Sequence, residues 1–273
     1  MRPMATSKSL VPSTGHRTGD VVRAVAVVVT ALAQVAGSPL GAALPGSSDI
    51  AEVSDRYTTV ITPAGYAFAI WGLVFALCLA WAVYQALPSQ LGRDVHRRAG
   101  WPLAVAFAAN TAWELVFPQG GDAVLVAQGL IVVVVVAAAL ALGRLQDPEP
   151  EGLARLLPAA AAALLLGWVT IASVAQVAIT GVYLGAPDEG GLARGAGIVA
   201  LVAAAAVVLD VTMRLRTSAG PFVLAAAWGL LAVTQADPPT SVRLAAWAAL
   251  AVLLVGLAVQ AWLTRRPVRV VLG

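Results

Sequence analysis

Polar and apolar positions along the 273-residue chain fall into long blocks rather than a short alternation. Crossing a bilayer as a helix takes roughly 17–25 apolar residues. Eight blocks are long enough: 22–44, 63–87, 101–118, 123–143, 157–184, 192–213, 220–236 and 242–263, the seventh being the shortest. The breaks between them hold turn formers or charge: PGSSD, LPSQLGRD, PQGGD, LQDPEPEG, LGAPDEGG, RLRTSAG and ADPPT. The pattern predicts an all-α membrane protein, a polytopic bundle of about eight transmembrane helices. Residues 1–21 read as a disordered N-terminal segment, 265–273 as a short tail, and the acidic DPEPE at 147–151 as a solvated turn. No internal repeat is evident, because the likeness of LAAAWGLLAVTQA to LAAWAALAVLLVG follows from alanine-rich composition.

Composition agrees. Hydrophobic residues make up 60% and charged residues 11%, against about 45–50% and 25% in soluble domains. The mean hydropathy is +0.85. Charge then orients the bundle. With the N-terminus inside, the cytoplasmic segments hold Arg2, Lys8, Arg17, Arg23, Arg93, Arg97, Arg98, Arg144, Arg155, Arg214, Arg216, Arg265, Arg266 and Arg269, and the other side only Arg56, Arg194 and Arg243. Fourteen cations against three is the positive-inside pattern, with both termini cytoplasmic. These cations flank hydrophobic spans, so the basic pI of about 9.5 is a topology signal and not one for nucleic acid. The first block, with basic residues before VVRAVAVVVTALAQVAG, also has the form of a signal peptide. Its apolar part is as long as a span, which favours an uncleaved first helix.

Special residues gather in the outer half of the membrane. At 1.5 Å per residue, Trp71 lies roughly 12 Å below the outer face, Trp113 and Asn110 roughly 6 and 10 Å, and Gln176 and Trp168 about 12 and 24 Å. Phe68, Trp71 and Phe75 share one helix face, as do Asn110, Trp113 and Phe117. On the fifth helix Trp168, Ala172, Gln176, Ile179 and Tyr183 form a stripe. Such stripes serve ordinary packing as readily as a ligand. Tyr66 and Tyr183 suit an interfacial belt, as do Trp81, Tyr84, Trp101 and Trp262 at the cytoplasmic side. An amide at depth needs a partner, so Asn110 and Gln176 face protein or a cavity. They fit either an interhelical hydrogen bond or a ring-lined pocket with a few orienting polar groups.

These residues resemble those of the TspO/MBR family, the tryptophan-rich sensory proteins related to the translocator protein. The carriers are TPAGYAFAIWGLVF, AFAANTAWELVF and LLLGWVTIASVAQVAI. Pro63, Gly65, Tyr66 and Trp71 match a Pro-Pro-Gly-Trp-type motif followed by a tryptophan. Asn110, Trp113 and Phe117 match an Asn-x-x-Trp-x-x-x-Phe pattern, and Trp168 with Gln176 a tryptophan with a downstream asparagine. The departures are Ala64 for the second proline, Tyr66 for the motif tryptophan, a Gly65–Trp71 spacing one residue short, and Gln176 for asparagine. The resemblance covers 22–184 as a five-helix domain, and 190–264 adds three helices, as in a long, bacterial-type branch. It implies a multi-pass protein of the bacterial inner (plasma) membrane. It also implies a pocket for a flat hydrophobic ligand, capped by the loop at 45–62. Porphyrins and other tetrapyrroles are the implied ligands, haem included, with sterols for mitochondrial members; no cofactor is required. The expected ligand-binding residues are Tyr66, Phe68, Trp71, Phe75, Asn110, Trp113, Phe117, Trp168, Ala172 and Gln176.

Three functions compete. The first is a sensor or binding protein for a tetrapyrrole-like molecule. The second is a small-molecule transporter, for which Gly37, Pro39, Gly65 and Gly72 would permit helix breaks. Coupled carriers keep ionisable groups near the midplane; here Glu114 sits close to the outer end, where it would snorkel, meet water or stand at the pocket mouth, and Asp210 pairs with Arg214 four residues on. The third is a porphyrin-degrading enzyme. No nucleophile–base arrangement or metal-ligand cluster supports hydrolytic or metal chemistry. His16 and His96 lie in cytoplasmic segments, and the lone Cys78 reads as a small buried hydrophobe. Membrane lipid is an expected partner, and small residues such as Gly195 and Gly197 would allow a homodimer.

Overall fold

The structure, a computed structural model, describes residues 18–146, 152–264 and 267–272. The expectations for residues 1–17, for the acidic turn at 147–151 and for Arg265 and Arg266 lie outside the described residues. Ten α-helices and no strand occur among the described residues. They are α1 (Thr18–Ala42), α2 (Ile50–Arg56), α3 (Ile70–Ala86), α4 (Asp94–Val116), α5 (Ala123–Arg144), α6 (Leu153–Tyr183), α7 (Gly190–Arg214), α8 (Ala219–Gln235), α9 (Thr240–Leu263) and α10 (Pro267–Leu272). A 3-10 segment, Gly65–Ala69, leads directly into α3. Six are long and apolar enough to cross a membrane: α1, α3 with its 3-10 lead, α5, α6, α7 and α9. In α4 the charged start Asp94–Arg98 dilutes the apolar stretch, and α8 is shorter at 17 residues. Both lie side by side with the six, so the chain is an all-α polytopic membrane protein.

Helices α1, α3, α6, α5 and α4 close into a ring, each packed on its two neighbours. At the Arg-rich end a buried charge network fastens α1 to α4. Arg97 donates to both Asp20 carboxylate oxygens at 2.7 Å, and Arg23 donates to Asp20 at 3.0 Å and to the Leu91 carbonyl at 2.6 Å. Helices α8, α9 and α7 form a second group against the outside of α6. Glycines set the closest approaches: a Cβ at Gly167 would fall on the Phe222 carbonyl, and one at Gly229 would meet Ile171 at 2.8 Å. Further links tie the groups at the same end, including Arg155 to the Thr217 hydroxyl at 2.5 Å and the Arg216 amide to Gln146 at 2.8 Å. By contrast α7 leans on α9 and touches α6 only lightly.

Two expectations are corrected here. Trp81 is not a belt residue: it is fully buried and donates its indole N–H to His96 Nδ1 at 3.3 Å. Helix α4 starts at Asp94, ahead of the apolar block at 101, and this extra part covers the Trp81 face. Trp101 and Trp262 remain exposed, as a belt requires. Glu114 does not reach water; it is 1% exposed. It lies where α1 offers no side chain, so that a Cβ at Gly37 would fall on its Oε2. The i,i+4 pair of Asp210 and Arg214 forms as expected, at 2.8 Å.

Candidate ligand-binding site

The stretch Thr62–Phe75 enters the bundle differently from a plain helix start. Pro63 stands outside the helix, two residues before the 3-10 segment. Gly65 has no neighbour within 4 Å of where a Cβ would be, so it makes no close approach. The segment is instead fixed from α8. The Ala64 amide donates to the Ala232 carbonyl at 3.1 Å and the Trp228 indole to the Ala67 carbonyl at 2.9 Å. These bonds fix the start of α3 against α8, and the 31-residue α6 runs on past it. Phe68 therefore touches Trp168 edge-on, ring centroids 6.2 Å apart, although Trp168 lies fifteen residues before the end of α6. Depth counted from helix ends thus places Trp71 and Trp168 too far apart: their centroids are 6.0 Å apart.

The rings form one cluster around a cavity. Trp71 is tilted against Trp113 at 6.4 Å and set edge-on to Trp168, while Trp113 stacks on Phe117 at 5.0 Å. Phe68, Trp71, Asn110, Trp113, Phe117, Trp168, Ala172 and Gln176 all line the cavity, with Ser54, Pro63, Ile131 and Ile179 among the rest. Eight of the ten expected residues thus meet at one place. Phe75 lies behind the lining and stacks on Trp71 at 5.2 Å. Tyr66 turns outward, 44% exposed, and packs on Trp228. Ser54 and Ile131 were missed, since a lone serine in the polar stretch 45–62 and one isoleucine in an apolar helix carry no sequence signal.

The polar atoms are few and mostly committed. Gln176 accepts from the Trp113 indole at 3.3 Å and donates to the Val124 carbonyl at 3.5 Å, binding α4, α6 and α5 together. Asn110 donates to Glu114 at 3.1 Å. The indole N–H groups of Trp71 and Trp168 are buried and have no acceptor among the described residues. No group of metal-ligating side chains occurs among the described residues. Chemically the arrangement offers stacking surface, two unused donors and an apolar floor.

The loop at 45–62 closes the end of this cavity. Asp49 caps α2 through the Glu52 amide, and Ile50, Val53 and Ser54 are buried beneath it. The Ser48 amide donates to the Pro118 carbonyl at 3.0 Å and the Gly121 amide to the Tyr57 hydroxyl at 3.0 Å. The cavity volume is 40 Å³, room for about one or two waters. A large ligand therefore requires the rings to part.

A family model described as TSPO-like protein matches residues 21–259, which takes in α8 and most of α9 as well as the five-helix ring. No curated protein and no solved structure matches the chain.

Proposed function

From the premise that the chain belongs to the TSPO-like protein family, we propose that it is a membrane binding protein for a flat hydrophobic ligand, tetrapyrrole-like in shape. The ligand lies among Phe68, Trp71, Trp113, Phe117 and Trp168. The carrying observation is that Trp71 and Trp168 both line one cavity while their buried indole N–H groups have no acceptor among the described residues. An unmade buried hydrogen bond costs about 1–3 kcal/mol, so a ligand with acceptor atoms at its edge recovers free energy there. The indole faces supply the apolar contact. Helix α2 acts as the cap, and Gln176 and Asn110 keep the walls in register. The sorting of fourteen cations against three supports both termini in the cytoplasm and the pocket in the outer half of the membrane.

The test is equilibrium quenching of tryptophan fluorescence by protoporphyrin IX in the reconstituted full chain. Saturable quenching that is lost in the double variant Trp71→Ala, Trp113→Ala supports the reading. Unchanged binding by that variant overturns the site.

A further inference from the structure

The ring-lined cavity is small, yet a ligand-sized space lies next to it. Helices α6 and α7 diverge from the short connection at 184–189, and α5 and the loop at 59–61 close the sides of the gap. The result is a lipid-facing groove of 580 Å³, within the range of about 300–1,000 Å³ usual for small-molecule sites. Its α7 wall is a stripe of small residues, Ala193, Ala196, Gly197, Ala200, Ala203 and Ala204. Across it stand Val174, Val177 and Ala178 of α6. The Thr170 and Ser173 hydroxyls in that wall donate to carbonyls of their own helix at 2.7 and 2.8 Å. The single charged side chain of the lining, Asp188, stands in the α6–α7 connection.

Between the groove and the ring-lined cavity lies a third space. This small cavity shares Ile61 and Val174 with the groove and Pro63, Trp168, Ala172 and Ala175 with the ring-lined cavity. The partition is therefore one segment, Ile61–Pro63, facing α6. That segment rests on α7 through a glycine: a Cβ at Gly197 would lie 2.7 Å from Val60 Cγ2 and 3.0 Å from Ile61 Cγ2. The other approach, past α2, is held shut by the loop's hydrogen bonds to Pro118 and Gly121.

We propose that the α6–α7 groove is a membrane-side waiting site, from which a flat hydrophobic molecule dissolved in the bilayer passes under Ile61–Pro63 into the ring-lined pocket. The inference rests on the reading of that pocket as a ligand site. The adjacency of the three cavities, which share lining residues in sequence, selects this occupant: the groove takes the same ligand class as the pocket, one step earlier. Its walls supply apolar contact, and the acceptor-seeking indoles lie only at the far end of the path. The groove therefore holds the ligand loosely and the pocket holds it in place.

The experiment uses the full chain in vesicles, with protoporphyrin IX as probe and stopped-flow tryptophan quenching as readout. Ala203→Cys is coupled after reconstitution to a bulky maleimide; native Cys78 is fully buried and out of reach. Labelling after folding removes misfolding as a cause, and Ala196→Phe serves as an independent plug of the same wall. Both should slow association and dissociation by about tenfold or more while Kd stays within about twofold, since a doorway alters rates and not the equilibrium. Normal equilibrium quenching with unaltered rates in both would overturn the groove and leave the pocket standing. Absence of quenching in the unmodified chain would overturn the pocket and the groove together.

Discussion

The Trp228 indole N–H donates to the Ala67 carbonyl across 2.9 Å, so a residue of α8 holds the first turn before the pocket helix α3. Ala67 is fully buried, and beside this bond Tyr66 lies edge-on to the Trp228 ring. Trp228→Phe keeps most of the ring and removes the donor. It should lower stability by about 1 kcal/mol and weaken protoporphyrin IX binding, because Phe68 and Trp71 follow directly. Thermal unfolding and equilibrium quenching on the same variant check both halves; a stable variant with unaltered affinity refutes the coupling.

Close contact between α1 and α4 depends on glycine. At Gly41 a Cβ would fall on the backbone carbonyl of Glu114, and at Gly37 on its carboxylate. Backbone cannot turn aside as a side chain can, so Gly41→Ala should be the worse of the two, losing roughly 1–3 kcal/mol to overpacking. Gly72, which has nothing within 4 Å, is the control: Gly72→Ala should be neutral or slightly stabilising. Melting temperatures of the three variants give the order.

Much of this was legible in the sequence for one physical reason. Rings at helical spacing must share a face, so Phe68, Trp71 and Phe75, and Asn110, Trp113 and Phe117, could be grouped without coordinates. What packs on a face is a tertiary matter. The sequence could not tell that α6 runs on well past the start of α3, which sets Trp168 against Phe68, or that Tyr66 turns outward onto Trp228. Trp81 was misread for the same reason: a tryptophan near a helix end looks like a belt whether lipid or α4 covers it. The α6–α7 groove was invisible, since alanines on α7 give the same pattern whether the helix is packed or splayed.

Gln176 of α6 hydrogen-bonds to α4 and α5 at once, through Trp113 and the Val124 carbonyl. Gln176→Leu strands the Trp113 indole N–H, a loss of about 1–3 kcal/mol. Gln176→Asn is shorter and should reach only one of the two partners, giving an intermediate melting temperature. If Gln176→Leu melts at the temperature of the unaltered chain, the bond is not a clamp.

Charge at the Arg-rich end should matter by burial rather than by number. Arg23 and Asp20 are 2% and 4% exposed, and Asp20 also serves Arg97. Asp20→Asn leaves Arg23 buried without its carboxylate and should lower the melting temperature sharply. Asp210→Asn breaks a pair that is solvent-exposed in the bundle, and should change it little. Equal shifts for the two variants would refute the ranking.

Gln34 gives a prediction of opposite sign. It is fully buried in α1 beside the Cys78 thiol, a weak hydrogen-bonding group, and neither its Nε2 nor its Oε1 makes a full hydrogen bond among the described residues. Its neighbours on the same face, Val27 and Ala31, are apolar and fully buried. A buried amide with no stronger partner than a thiol opposes folding, whereas Leu has similar reach and no polar atoms. Gln34→Leu should therefore raise stability, by about 1–3 kcal/mol if both orphaned groups count. Gln34→Ala separates the effects, because it removes the same polar atoms but leaves a void that offsets the gain. Chemical unfolding of the two variants beside the unaltered chain decides it. A loss of stability in Gln34→Leu would mean that the amide is satisfied, for instance by an internal water, and that α1 is held to its neighbours through it.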